Sequence, residues 1–182
     1  MGDKTYPLSH NRIRHIYEDK EQQLWIATDG SINRYDYATR QFIHYNIVDN
    51  TGTYNTNWTY YIFEDTAGQL WISTCLGGIF VVDKRKLMQS TSGQYIAEQN
   101  YSVHNGLSGM FINQIIPDNE GNVWVLLYNN KGIDKINPRT REVTKLFADE
   151  LTGEKSPNYL LCDEDGLLWV GFHGGVMRIN PK

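Results

Sequence analysis

The stretch EDTAGQLWIST, residues 64–74, occurs in related form four times along the chain. In each copy an aspartate precedes a tryptophan by six residues, and the pairs are Asp19 and Trp25, Asp65 and Trp71, Asp118 and Trp124, and Asp163 and Trp169. Successive tryptophans lie 46, 53 and 45 residues apart. A fixed inner spacing within a period of roughly 45–50 residues indicates a repeated structural unit.

Each copy contains short runs of β-branched and aromatic residues that are separated by Gly, Asn and Asp, which is typical of strands and hairpins. In the second copy these runs are Thr59–Phe63, Leu70–Thr74, Ile79–Val82 and Tyr95–Tyr101. No window shows a sustained helical period. Four antiparallel strands per unit predict an all-β fold of β-propeller blades. We place the blades at residues 9–46, 57–101, 110–147 and 157–182 of a single, partial propeller domain.

The repeated aspartates are predicted to stabilise turns, because an Asp side chain accepts hydrogen bonds from backbone N–H groups two residues on. The turns end with Gly68, Gly121 and Gly166, whereas the first copy has Gln22 and should form a costlier turn. Calcium binding or acid–base catalysis is the alternative. Recurrence in every copy favours the turn, since a catalytic pair is needed only once.

The repeated tryptophans are predicted to lie in mid-strand, with each ring packed between neighbouring sheets. This makes them core residues and not a sugar-stacking platform, and replacement of a buried one by alanine should cost about 3–5 kcal/mol. The glycine loops that follow resemble phosphate-binding loops only superficially, because no helix follows them to present its N-terminus.

Composition excludes several classes of function. The net charge of −4 and the scattered basic residues argue against nucleic acid as a partner. No apolar run approaches the ~20 residues that span a bilayer, so we expect no membrane contact in this part of the protein. The two cysteines, Cys75 and Cys162, have neither disulfide-framework nor metal-site spacing. No metal or cofactor is therefore expected.

Closure of the propeller is an open question in the sequence. The fourth copy stops without an outer strand, and residues 3–7 precede the first copy where such a strand should lie. We predict that Lys4-Thr5-Tyr6 pairs with Val176–Ile179, within one chain or from a neighbouring one, because this would remove two open edges. Association of two copies is the alternative. Residues 84–93, an insertion in the second blade, are expected to form a mobile polar excursion.

The repeat resembles that of the two-component-regulator propeller family, and the resemblance covers essentially the whole chain. The first copy matches through Ile13, Ile16, Glu18, Asp19, Leu24, Trp25, Ile26, Thr28, Ile32, Arg34, Tyr35, Asp36, Thr39, Phe42 and Tyr45. Gln22 and Ser31 depart from the pattern, since glycine is usual at both positions.

The resemblance implies a role in signal transduction. Such repeats form the periplasmic sensor domain of Bacteroidetes hybrid histidine kinase/response regulators, which detect glycan fragments and, through a phosphorelay, switch on polysaccharide-utilisation genes. The parent normally has many more blades than four. The chain is thus expected to be a piece of a larger, membrane-anchored protein, associating with itself or with neighbouring blades.

A ligand is predicted to bind at the loops that gather on one face of the blades, where aromatic side chains and Asn amides suit an oligosaccharide. The predicted residues are Trp58, Tyr54, Asn57, Asn105, Phe111, Tyr128, Asn130 and His173. Trp58 is the strongest candidate because it stands outside the repeated Trp position. The alternative is that these aromatics fill the propeller axis or form a contact between chains.

The sequence therefore predicts a non-catalytic sensor that binds an oligosaccharide. A scaffold propeller that binds a protein partner is the second hypothesis. An enzyme is the third, since some similar propellers are lyases, but no Ser/His/Asp arrangement or lone carboxylate pair stands out from the repeat.

Overall fold

The structure is a computed structural model, and it describes residues 7–91, 93–128, 132–146 and 156–181. The chain divides into two compact units, of which the first ends at Asn100 and the second begins at Tyr101. Both units contain antiparallel sheets with the strand order of propeller blades, as the sequence predicted. Within the described ranges, no helix has the length and hydrophobicity needed to cross a bilayer.

The first unit opens with a four-stranded antiparallel sheet, blade 1. Its strands follow one another in space as in sequence: β1 (Ile13–Glu18), β2 (Leu24–Thr28), β3 (Ser31–Asp36) and β4 (Gln41–Tyr45). A two-residue strand, β5 (Ile47–Val48), follows blade 1.

Blade 2 carries the insertion. Its elements are β6 (Thr59–Glu64), β7 (Gln69–Thr74), β8 (Ile79–Asp83), α1 (Lys84–Gln89), β9 (Tyr95–Ile96) and β10 (Gln99–Tyr101). The sheet has the order β10-β8-β7-β6, while β9 leaves the blade and pairs in parallel with β5. The predicted outer strand Tyr95–Tyr101 is therefore wrong in part, because only its last three residues pair with β8.

The expectation of a mobile polar excursion is also wrong for the described part of the insertion. Residues Lys84–Gln89 form a helix whose N-cap, Asp83, accepts a hydrogen bond from the backbone N–H of Lys86. Leu87 is fully buried in the core of the first unit. A helix of fewer than two turns leaves no periodic pattern in the sequence, which explains why it was missed.

The second unit contains a short 3-10 helix, Val103–Asn105, and two further sheets. Blade 3 consists of β11 (Ile112–Pro117), β12 (Val123–Leu127), β13 (Ile133–Asn137) and β14 (Glu142–Leu146). Blade 4 has three described strands, β15 (Pro157–Cys162), β16 (Leu168–Phe172) and β17 (Gly175–Ile179). The proposed closing strand falls outside the described residues except for Pro7, so its pairing with β17 stays a prediction.

Each unit has its own hydrophobic core between its two blades. In the first unit Trp25 of β2 packs with Ile62, Leu70 and Ile72 of blade 2. In the second, Trp124 of β12 packs with residues of blade 4 such as Leu160. These contacts confirm, for Trp25 and Trp124, that the repeated tryptophan seals one sheet against the next.

The four tryptophans are not equally buried. Trp25, Trp71 and Trp124 are 0%, 1% and 1% exposed, but Trp169 is only half-buried. The prediction that all four are core residues is thus wrong for Trp169. In blade 4 the centre of its ring lies 5.8 Å from the Arg178 guanidinium.

The spacing of six residues between Asp and Trp follows from hydrogen bonding. The indole Nε1–H of each tryptophan donates to Oδ2 of its aspartate, at 2.9, 2.9, 3.0 and 2.6 Å in blades 1 to 4. In blade 1 Oδ1 of Asp19 accepts the backbone N–H groups of Glu21 and Gln23 at 3.0 and 2.8 Å. One carboxylate thus closes the turn and fixes the buried ring.

Gln22 closes the first turn in a left-handed conformation, with φ of 61°. The equivalent Gly68, Gly121 and Gly166 have φ of 78°, 84° and 78°. Because a side chain is disfavoured at positive φ, the first turn is the strained one, in agreement with the sequence prediction.

Candidate ligand-binding cleft

Trp58 lies immediately before β6 and is held by backbone hydrogen bonds on both sides. Its N–H donates to the carbonyl oxygen of Asp29 at 3.0 Å, and its carbonyl accepts from the N–H of Cys75 at 2.9 Å. Its φ is 57°, a left-handed conformation that is rare for a bulky residue. Its side chain is 49% exposed. A strained backbone thus presents a large aromatic ring to solvent, a combination that is concentrated at functional sites.

Trp58 lines a cleft of about 240 Å³, which we call the Trp58 cleft. Its walls are formed by Thr53, Tyr54, Asn55, Asn57, Trp58, Leu76 and Gly77. Three predicted site residues, Tyr54, Asn57 and Trp58, are therefore brought together. They combine two aromatic rings with a side-chain amide.

The loop that carries Tyr54 is shaped by Asp49, which is 6% exposed. Oδ1 of Asp49 accepts the backbone N–H of Tyr54 at 2.7 Å, and Oδ2 accepts the N–H of Thr51 at 3.2 Å. Burial opposes ionisation of Asp49, but these bonds and that of the Thr51 hydroxyl outweigh it and lower its pKa. The loop is thus fixed around an ionised carboxylate.

Gly77 allows this loop to approach the sheet closely. A Cβ atom at position 77 would lie 2.7 Å from the carbonyl oxygen of Asn55 and 2.9 Å from the Phe80 ring. No side chain fits at either distance. The floor of the Trp58 cleft therefore requires glycine at this position.

A charged group adjoins Trp58 on the blade 1 side. Asp29, whose carbonyl binds Trp58, accepts two hydrogen bonds from Arg14, at 2.7 and 3.3 Å, and one from Arg12 at 3.3 Å. The bond from Arg14 is the main cause of the lowered pKa of Asp29. The Arg14 guanidinium also lies 4.5 Å from the centre of the Tyr60 ring. This group was not among the site residues predicted from the sequence.

The same backbone hydrogen bond recurs in three blades, between residues whose side chains differ. Asp29, Cys75 and Tyr128, which follow the second strands, each donate a backbone N–H to the residue before the first strand. Those acceptors are Arg12, Trp58 and Phe111, at 3.2, 2.9 and 3.0 Å respectively. This shared position is the signal in the sequence that would have identified Arg12 and Asp29.

In the second unit, the structure brings Phe111 and Tyr128 together through this bond, with exposures of 41% and 58%. The Asn105 side chain accepts the backbone N–H of Ser102 at 2.6 Å and so caps the 3-10 helix. His173 is exposed in the turn between β16 and β17. Asn130 lies outside the described residues.

One group of carboxylates has the spacing of a cation site. Oxygen atoms of Asp19, Glu21 and Glu64 lie within 4.8 Å of one another. The ammonium of Lys84, from α1, already lies among them, 3.0 Å from Asp19 and 2.8 Å from Glu64, and it also pairs with Glu21. Burial of Lys84 opposes its charge, but the carboxylates prevail and raise its pKa. The group is therefore an ion-pair cluster that anchors α1.

The sequence model of the two-component regulator propeller family matches residues 7–30 and 106–129. Those stretches run from before the first strand through the Asp–Trp turn of blades 1 and 3. These two stretches carry two-component regulator propeller repeats. A search of curated proteins found no significant match.

Solved structures extend the comparison. The chain is 99% identical, over its whole length, to part of the crystallised extracellular domain of BT4673, a candidate hybrid two-component system of Bacteroides thetaiotaomicron, with a TM-score of 0.95. It spans only 24% of that crystallised chain. The predicted extracytoplasmic location and the expectation of a larger parent propeller are therefore confirmed.

Two more distant structures share the fold alone. The extracellular domain of BT3049, a candidate hybrid two-component system of the same organism, is 22% identical with a TM-score of 0.68, over 90% of this chain and 21% of the other. A streptogramin B lyase is 16% identical with a TM-score of 0.69, over 96% of this chain and 53% of the other.

Proposed function

We propose that the chain is a non-catalytic part of an extracytoplasmic sensor and that it binds an oligosaccharide in the Trp58 cleft. In the parent protein, binding would be passed to a histidine kinase and response regulator that control polysaccharide-utilisation genes. The similarity to the BT4673 extracellular domain supports the sensor role.

The observation that carries this proposal is the convergence of Tyr54, Asn57 and Trp58 on one cleft. The flat rings offer apolar surface to the C–H groups of a sugar, and the Asn57 amide offers both a donor and an acceptor to hydroxyl groups. A pocket with apolar walls and few polar groups is the usual form of a small-molecule site. A carbohydrate matches each of these features.

The cleft lacks the side chains that most often act as nucleophile or general base. None of its seven lining residues is a carboxylate, a histidine or a cysteine. A nucleophile or general base is needed within hydrogen-bonding reach of a reacting group. This composition favours binding over turnover, and the likeness to a lyase extends only to the fold.

Calorimetric titration with a panel of neutral plant and host oligosaccharides tests the proposal. We expect heat of binding with at least one glycan, and we expect Trp58→Ala to weaken that binding at least tenfold. Tyr37→Ala is the matched control, because Tyr37 is a 58% exposed aromatic residue outside the cleft. Absence of heat from the folded chain with every glycan would contradict the proposal, and turnover of any glycan would contradict a non-catalytic role.

A protein-binding scaffold is the second candidate. It is favoured by large apolar side chains that are exposed on the first strand of two blades, such as Ile13 (48%), Ile16 (59%) and Leu161 (53%). Another copy of the chain or the neighbouring blades of the parent would cover these residues. Binding of a protein partner without any glycan response would favour this alternative.

A further inference from the structure

A second, larger cleft lies in the first unit, and no predicted function uses it. It encloses about 480 Å³ between blade 1 and the insertion of blade 2. We call it the insertion cleft. Its lining includes Ile43, His44, Tyr45 and Asn46 from the outer edge of blade 1, and Leu87 and Tyr95 from the insertion.

The insertion is held firmly against blade 1. The parallel pairing of β5 and β9 includes hydrogen bonds from Tyr95 N–H to the Asn46 carbonyl at 2.8 Å and from Ala97 N–H to the Val48 carbonyl at 2.9 Å. At its other end the buried Lys84 pairs with Asp19 of blade 1. The insertion cleft is thus a preformed cavity with walls fixed on two sides.

The insertion makes the connection between two strands of blade 2 longer than the sheet requires. Blades 1 and 3 join their third and fourth strands by short turns, from Asp36 to Gln41 and from Asn137 to Glu142. In blade 2 the same connection runs from Asp83 to Gln99 and contains α1 and β9. Since the sheet closes without such a connection, the added elements have a role beyond completing the blade.

The insertion cleft adjoins the Trp58 cleft. Asn57 lines both, and the neighbouring Thr56 is bonded through its hydroxyl to Ser31, a residue of the insertion cleft. Ser31 is buried with φ of 90°, another non-glycine residue in a left-handed conformation. Its hydroxyl also donates to the Tyr45 carbonyl at 2.8 Å. The segment at which the two clefts meet is thus fixed by hydrogen bonds.

We propose that the two clefts form one groove for a neutral oligosaccharide, in which the insertion cleft is a second sugar subsite. This inference rests on the proposed function. The accessible lining of the insertion cleft combines the partly exposed Tyr95 ring and Ile43 with the exposed His44 and Asn46, and the lining contains no carboxylate, lysine or arginine. An uncharged sugar matches this surface. The shared Asn57 contacts adjacent units of the bound chain.

A length series tests the groove. The probes are neutral oligosaccharides of glucose, xylose, mannose, galactose and arabinose, with two to six units each, titrated by calorimetry into the whole chain. For the sugar that binds, we expect affinity to rise at least tenfold from two to five or six units. Asn46→Ala should remove most of that gain and change the affinity of the two-unit sugar less than twofold. Trp58→Ala should weaken binding at every length.

Asn50→Ala is the matched control, because Asn50 is an exposed asparagine outside both clefts. Asn46→Asp keeps the size of the side chain and serves if Asn46→Ala lowers the melting midpoint. Equal affinity at all lengths, or equal weakening of short and long sugars by Asn46→Ala, would overturn the second subsite and leave the Trp58 cleft intact. Absence of binding at every length would overturn both proposals.

Discussion

The two ends of a blade differ in whether their side chains are the same from one blade to the next. At the Asp–Trp turns all four blades use the same aspartate and indole, with hydrogen bonds of 2.6 to 3.0 Å. At the other end, a backbone hydrogen bond joins the residue after the second strand to the residue before the first strand in three blades. The residues that it joins differ from blade to blade: Asp29 and Arg12, Cys75 and Trp58, and Tyr128 and Phe111. Repeated side chains hold the sheets together, and side chains that change between blades are available for binding.

The largest expected effect is at the repeated end. Trp25→Ala should lower the free energy of unfolding by about 3–5 kcal/mol, because the Trp25 ring is fully buried between two blades. Trp169→Ala should cost clearly less, since its ring is half-exposed. Urea unfolding of both variants measures the difference. Equal losses would contradict the unequal burial of the two rings.

Removal of the turn carboxylate should have the next largest effect. Asp118→Ala removes the acceptor of the Trp124 indole and of the backbone N–H groups of Glu120 and Asn122. We expect a loss of about 2–3 kcal/mol in urea unfolding, because a buried donor that loses its partner is costly. Asp165→Ala, an exposed change in the fourth turn, should stay within about 0.5 kcal/mol. If Asp118→Ala lost as little unfolding free energy as Asp165→Ala, the role of Asp118 in holding the turn and the Trp124 indole would be excluded.

Relief of the strained first turn should give a smaller effect of opposite sign. Gln22→Gly should stabilise the chain by about 1 kcal/mol, since Gln22 occupies a left-handed conformation. The converse change, Gly68→Gln, should destabilise it by a similar amount. Thermal melting of the pair checks both signs. A destabilised Gln22→Gly variant would show that the glutamine side chain contributes more than its backbone costs.

The smallest expected effect is on the pH dependence of stability, through Asp29 at the end of the blade whose side chains are not repeated. The pKa of Asp29 lies below its ordinary value of 3.8 in the folded chain, first because Arg14 donates hydrogen bonds to it. A depressed folded pKa adds stability that is complete above the unfolded pKa and is lost as the pH falls below about 4. Asp29→Asn should therefore flatten the decline of the melting midpoint between about pH 5 and 3. An unchanged decline of the melting midpoint would contradict a stabilising ion pair between Asp29 and Arg14.

Most of the fold could be predicted from the sequence, because repetition reveals what every blade needs. The predicted runs Thr59–Phe63, Leu70–Thr74 and Ile79–Val82 each match a strand of blade 2 to within one residue. The role of β9 was not predicted, because its partner β5 is only two residues long and carries no strand pattern. The exposure of Trp169 also depends on which sheets surround it, which its own sequence does not specify.

The candidate site could be predicted only in part. Tyr54, Asn57 and Trp58 were predicted because they are aromatic and amide residues outside the repeat, and the structure places them in one cleft. Arg12 and Asp29 were missed, since a charged pair near the start of a strand resembles an ordinary solvated surface. The insertion cleft depends on the pairing of Ile47 with Tyr95, two residues far apart in sequence. Such long-range pairing leaves no local signal.

The central claim is that Trp58 binds an oligosaccharide, whereas the repeated tryptophans stabilise the fold. Its most direct test compares the exposed Trp58 with the buried Trp25. Calorimetric titration and thermal melting of Trp58→Ala and Trp25→Ala should separate binding from stability. We predict that Trp58→Ala keeps the melting midpoint of the unmodified chain and loses oligosaccharide binding, whereas Trp25→Ala loses stability. A Trp58→Ala chain that binds oligosaccharide with unchanged affinity would contradict the claim.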